Sequence, residues 1–231
     1  MSMWFILSGV GGAGKTISAF ALASISAQHR KTLFLDCCGA SRKGDYLLGI
    51  ENNISLSLED VLSGSVPLND ALYPCNNKNL DYACISLFHS VPLQDYLGLF
   101  FTLQAMYDLL VLDVPSGELN VDLRLIRPSD RFIITSYPDP ASMRANCMIT
   151  DILSQYRNQV MMILNFADKP LMHRKIQLDA YEIENSYGLH TEGIVYYDPM
   201  IHAATIQKKD FTMYPKNYKQ VFEKIYNSIE D

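Results

Sequence analysis

Nowhere in these 231 residues does an apolar run approach the roughly 18 that a helix needs to cross a bilayer, so no membrane-spanning helix is expected. Met1 to Leu7 has neither the basic start nor the long apolar stretch of a secretory signal, and a cytoplasmic location is expected. Positive charge is in deficit. The 19 Lys and Arg against 25 Asp and Glu give a net charge of −6, which leaves no electrostatic case for direct binding to nucleic acid or to an anionic membrane. The five cysteines, Cys37, Cys38, Cys75, Cys84 and Cys147, are odd in number and show no C-x-x-C spacing. A disulfide framework and a zinc site are therefore not indicated, and reduced, mostly buried thiols are expected. No Pro/Gly/Ser-rich linker and no internal repeat interrupts the chain, and 1–231 is expected to form a single domain.

What is present begins at Gly9. Gly9-Val10-Gly11-Gly12-Ala13-Gly14-Lys15-Thr16 satisfies G-x-x-x-x-G-K-[ST] at every fixed position. It lies between an apolar strand-like run, Met3 to Leu7, and an Ala-rich helix-like segment, Ile17 to Gln28, which is the context the motif requires. Glycine lets the backbone take positive φ and approach a β-phosphate, with successive N–H groups and a helix N-terminus facing the negative charge. Gly11, Gly12, Ala13, Gly14, Lys15, Thr16 and Ile17 are the candidate cradle, with Lys15 reaching the β- and γ-phosphates and the Thr16 hydroxyl ligating Mg²⁺.

Further along, strand-like and helix-like runs alternate. Strands are predicted at Thr32–Asp36, Tyr82–Ser86, Leu109–Asp113, Arg131–Tyr137, Gln159–Leu164 and Gly193–Tyr197. Long helices are predicted at Pro92–Tyr107, Ala141–Tyr156 and Asn217–Ile229. Two short helices are expected between Ser55 and Tyr73, the first opened by a Ser57/Asp60 capping box and closed by Gly64. This pattern predicts an α/β fold: a doubly wound, mostly parallel seven-stranded sheet with helices on both faces. Two of its strands end in a carboxylate, Asp36 and Asp113. An Asp after a strand more often caps a turn, but downstream of a phosphate loop Asp113 reads as a Walker B carboxylate beside the metal. The last helix carries Val221, Phe222, Ile225, Tyr226 and Ile229 on one stripe, which either docks on the domain or lies on a membrane surface.

Together these residues resemble the MinD/ParA family of P-loop ATPases, the branch whose deviant Walker A box reads K-G-G-x-G-K-T. Gly11 to Thr16 matches that box, and Leu33 to Asp36 with Arg42 to Gly49 resembles the family's second strand and switch I. Ser57 to Leu62 and Leu68 to Leu72 resemble the pair of short helices that follow, and Asp113-Val114-Pro115-Ser116-Gly117 resembles the D-x-P-x-G switch II. The resemblance implies ATP/ADP and Mg²⁺ as cofactors, with Lys15, Asp36 and Asp113 as catalytic residues and Thr16, Asp36 and Asp113 holding the metal. It also implies that Asn165 contacts adenine and that Asp198 and Pro199 close the base pocket, and it suggests an ATP-dependent homodimer with a protein partner not named by the sequence. A guanine reading of Asn165-Phe166-Ala167-Asp168 fails at Phe166, which stands where N-K-x-D has lysine.

Two departures bear on turnover. The family's signature lysine, which reaches a partner protomer's phosphates, corresponds to Val10, and the second acidic residue after strand two corresponds to Cys38. Loss of a transition-state cation or a water-positioning group typically costs orders of magnitude in rate. Lys43 or Arg42 could supply a substitute cation, or simply form a solvated basic turn. Three function classes are open at this point: a nucleotide-controlled switch in cellular positioning or assembly with slow hydrolysis, an ATP-dependent metabolic ligase of the dethiobiotin-synthetase kind, and a scaffold that keeps nucleotide for stability.

Overall fold

Apolar residues on alternate positions of the first strand, β1 (Ser2–Leu7), divide the core between two faces of one sheet. The computed structural model describes residues 2–86, 93–117 and 126–230, with backbone alone at 93–95. After β1 come α1 (Lys15–Ser26), β2 (Thr32–Asp36), α2 (Gly44–Leu48), α3 (Leu58–Leu62), β3 (Tyr73–Pro74), β4 (Leu80–Cys84), α4 (Leu93–Met106) and β5 (Leu109–Asp113). The second half adds β6 (Arg131–Ser136), α5 (Pro140–Ile152), β7 (Val160–Ala167), α6 (Lys169–His173), α7 (Ala180–Tyr187), β8 (Thr191–Tyr196), α8 (Pro199–Ile206) and α9 (Lys216–Glu230).

The strand order is β3-β4-β2-β5-β1-β6-β7-β8, and every pairing is parallel except β3 with β4. The sheet therefore has eight strands rather than the predicted seven. The extra one is a two-residue edge pairing, Tyr73 opposite Tyr82 and Pro74 opposite Asp81, too short for any periodicity and holding a proline that only an edge tolerates. Parallel strands buried on both faces read as continuous apolar runs, which is why the other seven are legible.

Met3, Phe5 and Leu7 of β1 face Phe100 and Leu103 of α4 and Met143 of α5, whereas Trp4 and Ile6 face Phe20 and Leu22 of α1 and Phe222 and Ile225 of α9. Helices thus cover both faces, as predicted. The apolar stripe of α9 is spent within the core: Phe222 is fully buried, and the Tyr226 ring lies 5.6 Å from that of Trp4. The docked alternative holds for this helix.

Smaller differences have local causes. α5 begins at Pro140, capped by Asp139, and gives way after Ile152 to a 3₁₀ turn at Ser154–Gln159, so the predicted helix to Tyr156 is too long. β4 starts at Leu80 and leaves the sheet after Cys84, short of the predicted Ser86. The predicted start of α4 at Pro92, and Leu87-Phe88 before it, lie outside the described residues. The Ser57/Asp60 capping box is present as predicted, and Gly64 takes φ +74°. All five thiols are free, but only Cys37 and Cys84 are buried; the other three are half-buried, so the thiols are less enclosed than expected.

Candidate functional site

β1 sits between β5 and β6, where the chain's outward winding reverses direction, and the loop that leaves its carboxyl end is Gly9 to Gly14. Such a reversal opens a crevice at the carboxyl edge of a parallel sheet. Gly12 and Gly14 take φ +79° and +88°, and Gly14 caps α1, so the loop delivers its N–H groups to the start of a 12-residue helix. A Cβ on Gly14 would lie 1.9 Å from Asn165 Nδ2, which only glycine avoids.

Parallel register places Asp36 directly opposite Asp113, and Asp113 opposite Ile6 at the end of β1. The Thr16 hydroxyl donates to Asp113 Oδ2 at 2.6 Å, and Lys15 Nζ donates to Ser116 Oγ at 2.8 Å. Asp113 Oδ1 is buried and has no hydrogen-bond partner among the described residues. Burial and the neighbouring Asp36 push the Asp113 carboxyl up to about 7, against the opposing pull of Lys15 and the Thr16 hydroxyl. An orphaned carboxylate oxygen beside a threonine hydroxyl under a phosphate loop fits a hard, oxygen-seeking cation such as Mg²⁺.

Asp36 is brought to the same cluster but spent differently. Its Oδ1 accepts from the Cys38 N–H at 3.0 Å, and its Oδ2 accepts from the N–H groups of Lys43 at 3.1 Å and Gly44 at 2.8 Å. Its carboxylate therefore pins the loop from Cys37 to Gly44 as well as standing with Cys38 and Asp113, the three ligating atoms lying within 4.8 Å of one another. Cys38 Sγ is 3.7 Å from the Asp113 carbonyl oxygen and 3.9 Å from Oδ2. Burial first, and then Asp113 and Asp36, raise its thiol pKa well above the ordinary value, so it stays protonated.

Above these residues opens a cleft of about 910 Å³ lined by Gly11, Gly12, Gly14, Lys15, Thr16 and Ile17 on its floor. Asn165 borders it; its Nδ2 donates to the Ala13 carbonyl at 3.1 Å and its Oδ1 accepts from the Phe166 N–H at 3.0 Å. Asp198 also borders the cleft while capping α8 through the Met200 N–H, whereas Pro199 is the first residue of that helix and is not among the lining residues. Of the two cations weighed as substitutes, Arg42 pairs with Asp45 at 2.8 Å, and Lys43 lines the cleft.

Sequence reasoning missed an aromatic wall. Phe166, Tyr196 and Tyr197 line the cleft, and Tyr137, stacked on Phe166 at 5.1 Å, donates its hydroxyl to the Gly12 carbonyl at 2.8 Å. Each aromatic adjoins an apolar strand run, where it reads as more core; only its place at the carboxyl end of a strand marks it. Tyr137 and Tyr197 lie just past β6 and β8, and Phe166 and Tyr196 are in the last residues of β7 and β8.

A model of the CobQ/CobB/MinD/ParA nucleotide binding domain matches residues 4–211. The septum site-determining protein MinD of Bacillus subtilis (strain 168) is 25% identical over 222 residues, covering 92% of this chain and 82% of that protein. The Escherichia coli (strain K12) protein of the same name is 30% identical over 157 residues, covering 64% of this chain and only 57% of its own length. Among solved structures, the MinC:MinD cell division protein complex of Aquifex aeolicus matches with TM-score 0.86 at 21% identity, over 100% of this chain and 96% of that one. MinD complexed with Mg-ADP from Pyrococcus horikoshii OT3 matches with TM-score 0.80 at 20% identity, over 100% and 97%. At those identities the structures establish the fold; the domain model spans nearly the whole chain, loop and carboxylates included, and so the chain belongs to the CobQ/CobB/MinD/ParA family of nucleotide-binding domains and is MinD/ParA-like within it.

Proposed function

We propose that this chain binds Mg-ATP and Mg-ADP over Gly11 to Thr16 and acts as a nucleotide-controlled switch in cellular positioning or assembly, with slow ATP hydrolysis. The observation that carries the reading is the Thr16–Asp113 hydrogen bond with Asp113 Oδ1 left buried and unpaired beneath the phosphate loop. In this reading Thr16 and Asp113 hold Mg²⁺, which supplies charge neutralisation along the phosphates. Loop N–H groups and Lys15 take the remaining phosphate charge. Lys15 already bridges to Ser116 in the segment Asp113–Gly117, and the Gly117 N–H donates to the Ser8 carbonyl at 2.9 Å, so a phosphate that recruits Lys15 also releases Ser116. That exchange is how nucleotide state reaches the switch II-like turn. Asp36 acts by fixing the loop from Cys37 to Gly44 over the site rather than by free ligation.

Slow turnover follows from what Val10 and Cys38 cannot do. A valine offers neither charge nor hydrogen bond to a partner's phosphates, and a thiol held protonated beside Asp113 is a poor group for orienting water. The relatives named for septum-site determination support a role in cellular positioning, and a cytoplasmic location and a single acting domain are part of the same proposal. ATP turnover measured beside sizing chromatography, with and without ATP, tests the reading. ATP-dependent dimerisation with slow turnover is expected. Turnover that requires a small-molecule substrate would establish a ligase instead, and neither dimer nor turnover would leave a nucleotide-stabilised scaffold.

A further inference from the structure

A phosphate loop works only when its N–H groups face the anion, which obliges the carbonyls of the same peptides to face elsewhere and find partners there. Two consecutive carbonyls in this loop have side-chain partners. The Tyr137 hydroxyl donates to Gly12 O at 2.8 Å, and Asn165 Nδ2 donates to Ala13 O at 3.1 Å. The approach of Tyr137 is close: a Cβ on Gly12 would stand 3.2 Å from its hydroxyl.

Tyr137 is itself held in place. Its ring stacks on Phe166 with centroids 5.1 Å apart and planes 25° from parallel. Phe166 adopts φ +57°, a conformation that a bulky side chain enters only when its surroundings force it. The forcing contacts are visible: the Phe166 N–H donates to Asn165 Oδ1, and Gln177 Nε2 donates to the Phe166 carbonyl at 3.3 Å. Gln177 is fixed in turn by the Asp168 N–H, which donates to its Oε1 at 2.7 Å. The strained residue thus presents its ring to Tyr137 while its neighbour Asn165 holds the adjacent loop carbonyl.

The geometry points to Tyr137, braced by Phe166, as a positioning residue that turns the Gly12 carbonyl outward and presets the phosphate loop before nucleotide arrives. The inference rests on the nucleotide-binding reading above. Neither residue replaces a phosphate ligand; each acts on the shape of the loop.

Tyr137→Phe keeps the stack and removes only the hydroxyl, while Phe166→Leu keeps apolar bulk and removes the ring. Two readouts separate the clamp from the nucleotide reading: hydrogen exchange across residues 11–16 of the nucleotide-free protein, and calorimetric affinity for Mg-ADP. Loss of one neutral hydrogen bond should accelerate that exchange about fivefold and weaken Mg-ADP about fivefold in Tyr137→Phe, with a melting temperature lowered by no more than about 2–4 °C. Phe166→Leu should act in the same direction, and the double variant should lose less than the product of the two single losses. Unchanged exchange and unchanged affinity in Tyr137→Phe would overturn the clamp. Faster exchange in a protein whose wild type binds no nucleotide would show that the contact is real, yet would overturn both its positioning role and the functional reading.

Discussion

Asp113 is a carboxyl that is hard to ionise until a cation arrives. Burial and Asp36 raise it to about 7, so its proton must leave before it can ligate a metal, and Mg-nucleotide affinity should fall as the pH drops from 8 to 6. Calorimetry across that range is the check, and a flat profile would mean that Asp113 is not a ligand. The same shift acts on stability. A carboxyl whose folded-state pKa is raised contributes stability that is present below its ordinary value near 3.8 and is lost as pH rises through about 7. Asp113→Asn should therefore stabilise the nucleotide-free protein at pH 7.5, on the order of 1–3 kcal/mol, and much less at pH 5. Urea titrations at the two pH values that showed equal changes would refute this. Both carboxylates at this site were legible in the sequence because each ends an apolar strand. The difference between them was not, because it depends on which backbone N–H groups fold back onto Asp36.

Among the elements, α9 shows how a stripe that sequence leaves undecided is settled by packing. Phe222, Ile225 and Ile229 are buried against α1 and the sheet, and Arg30 lies over the Trp4 and Tyr226 rings at 5.6 and 5.8 Å. Phe222→Ala should cost about 3–5 kcal/mol, read by thermal or urea unfolding; a loss under about 1 kcal/mol would mean the helix is not docked in solution. With its apolar side occupied, α9 should leave the protein in the supernatant when it is spun with anionic liposomes, with or without ATP, and clear sedimentation would contradict that. The short elements mark where reading the sequence failed. α6, α7 and α8 each open on an aspartate, Asp168, Asp179 and Asp198, and α6 and α8 add a proline in the first turn, a start signal present in the sequence. Asp198-Pro199 drew a base-pocket reading from family resemblance instead, although in the fold its first task is to begin a helix. α2 has no Asp or Pro at its start; the Asp36 contacts to the Lys43 and Gly44 N–H groups, together with the Arg42–Asp45 pair, fix it.

For the whole molecule, the parallel sheet brings Val10 and Lys15, Cys38, and Asp113 to one edge from three separate stretches of chain, and on the proposed reading holding nucleotide and hydrolysing it are separable properties. Val10→Lys with Cys38→Asp should raise ATP turnover above either single change, because the two groups act on one transition state. A double variant that binds ATP normally yet gains neither turnover nor an ATP-dependent dimer would show that these positions do not set the rate. All of this presupposes that the loop from Gly11 to Thr16 holds nucleotide. Calorimetric titration of wild type and Lys15→Ala with Mg-ADP and Mg-ATP tests that most directly. Saturable binding of both nucleotides by wild type is expected, with no measurable binding by Lys15→Ala, since the phosphates lose their main point-charge partner in a partly desolvated site. Equal affinity in the two proteins, or no binding by wild type, would contradict it.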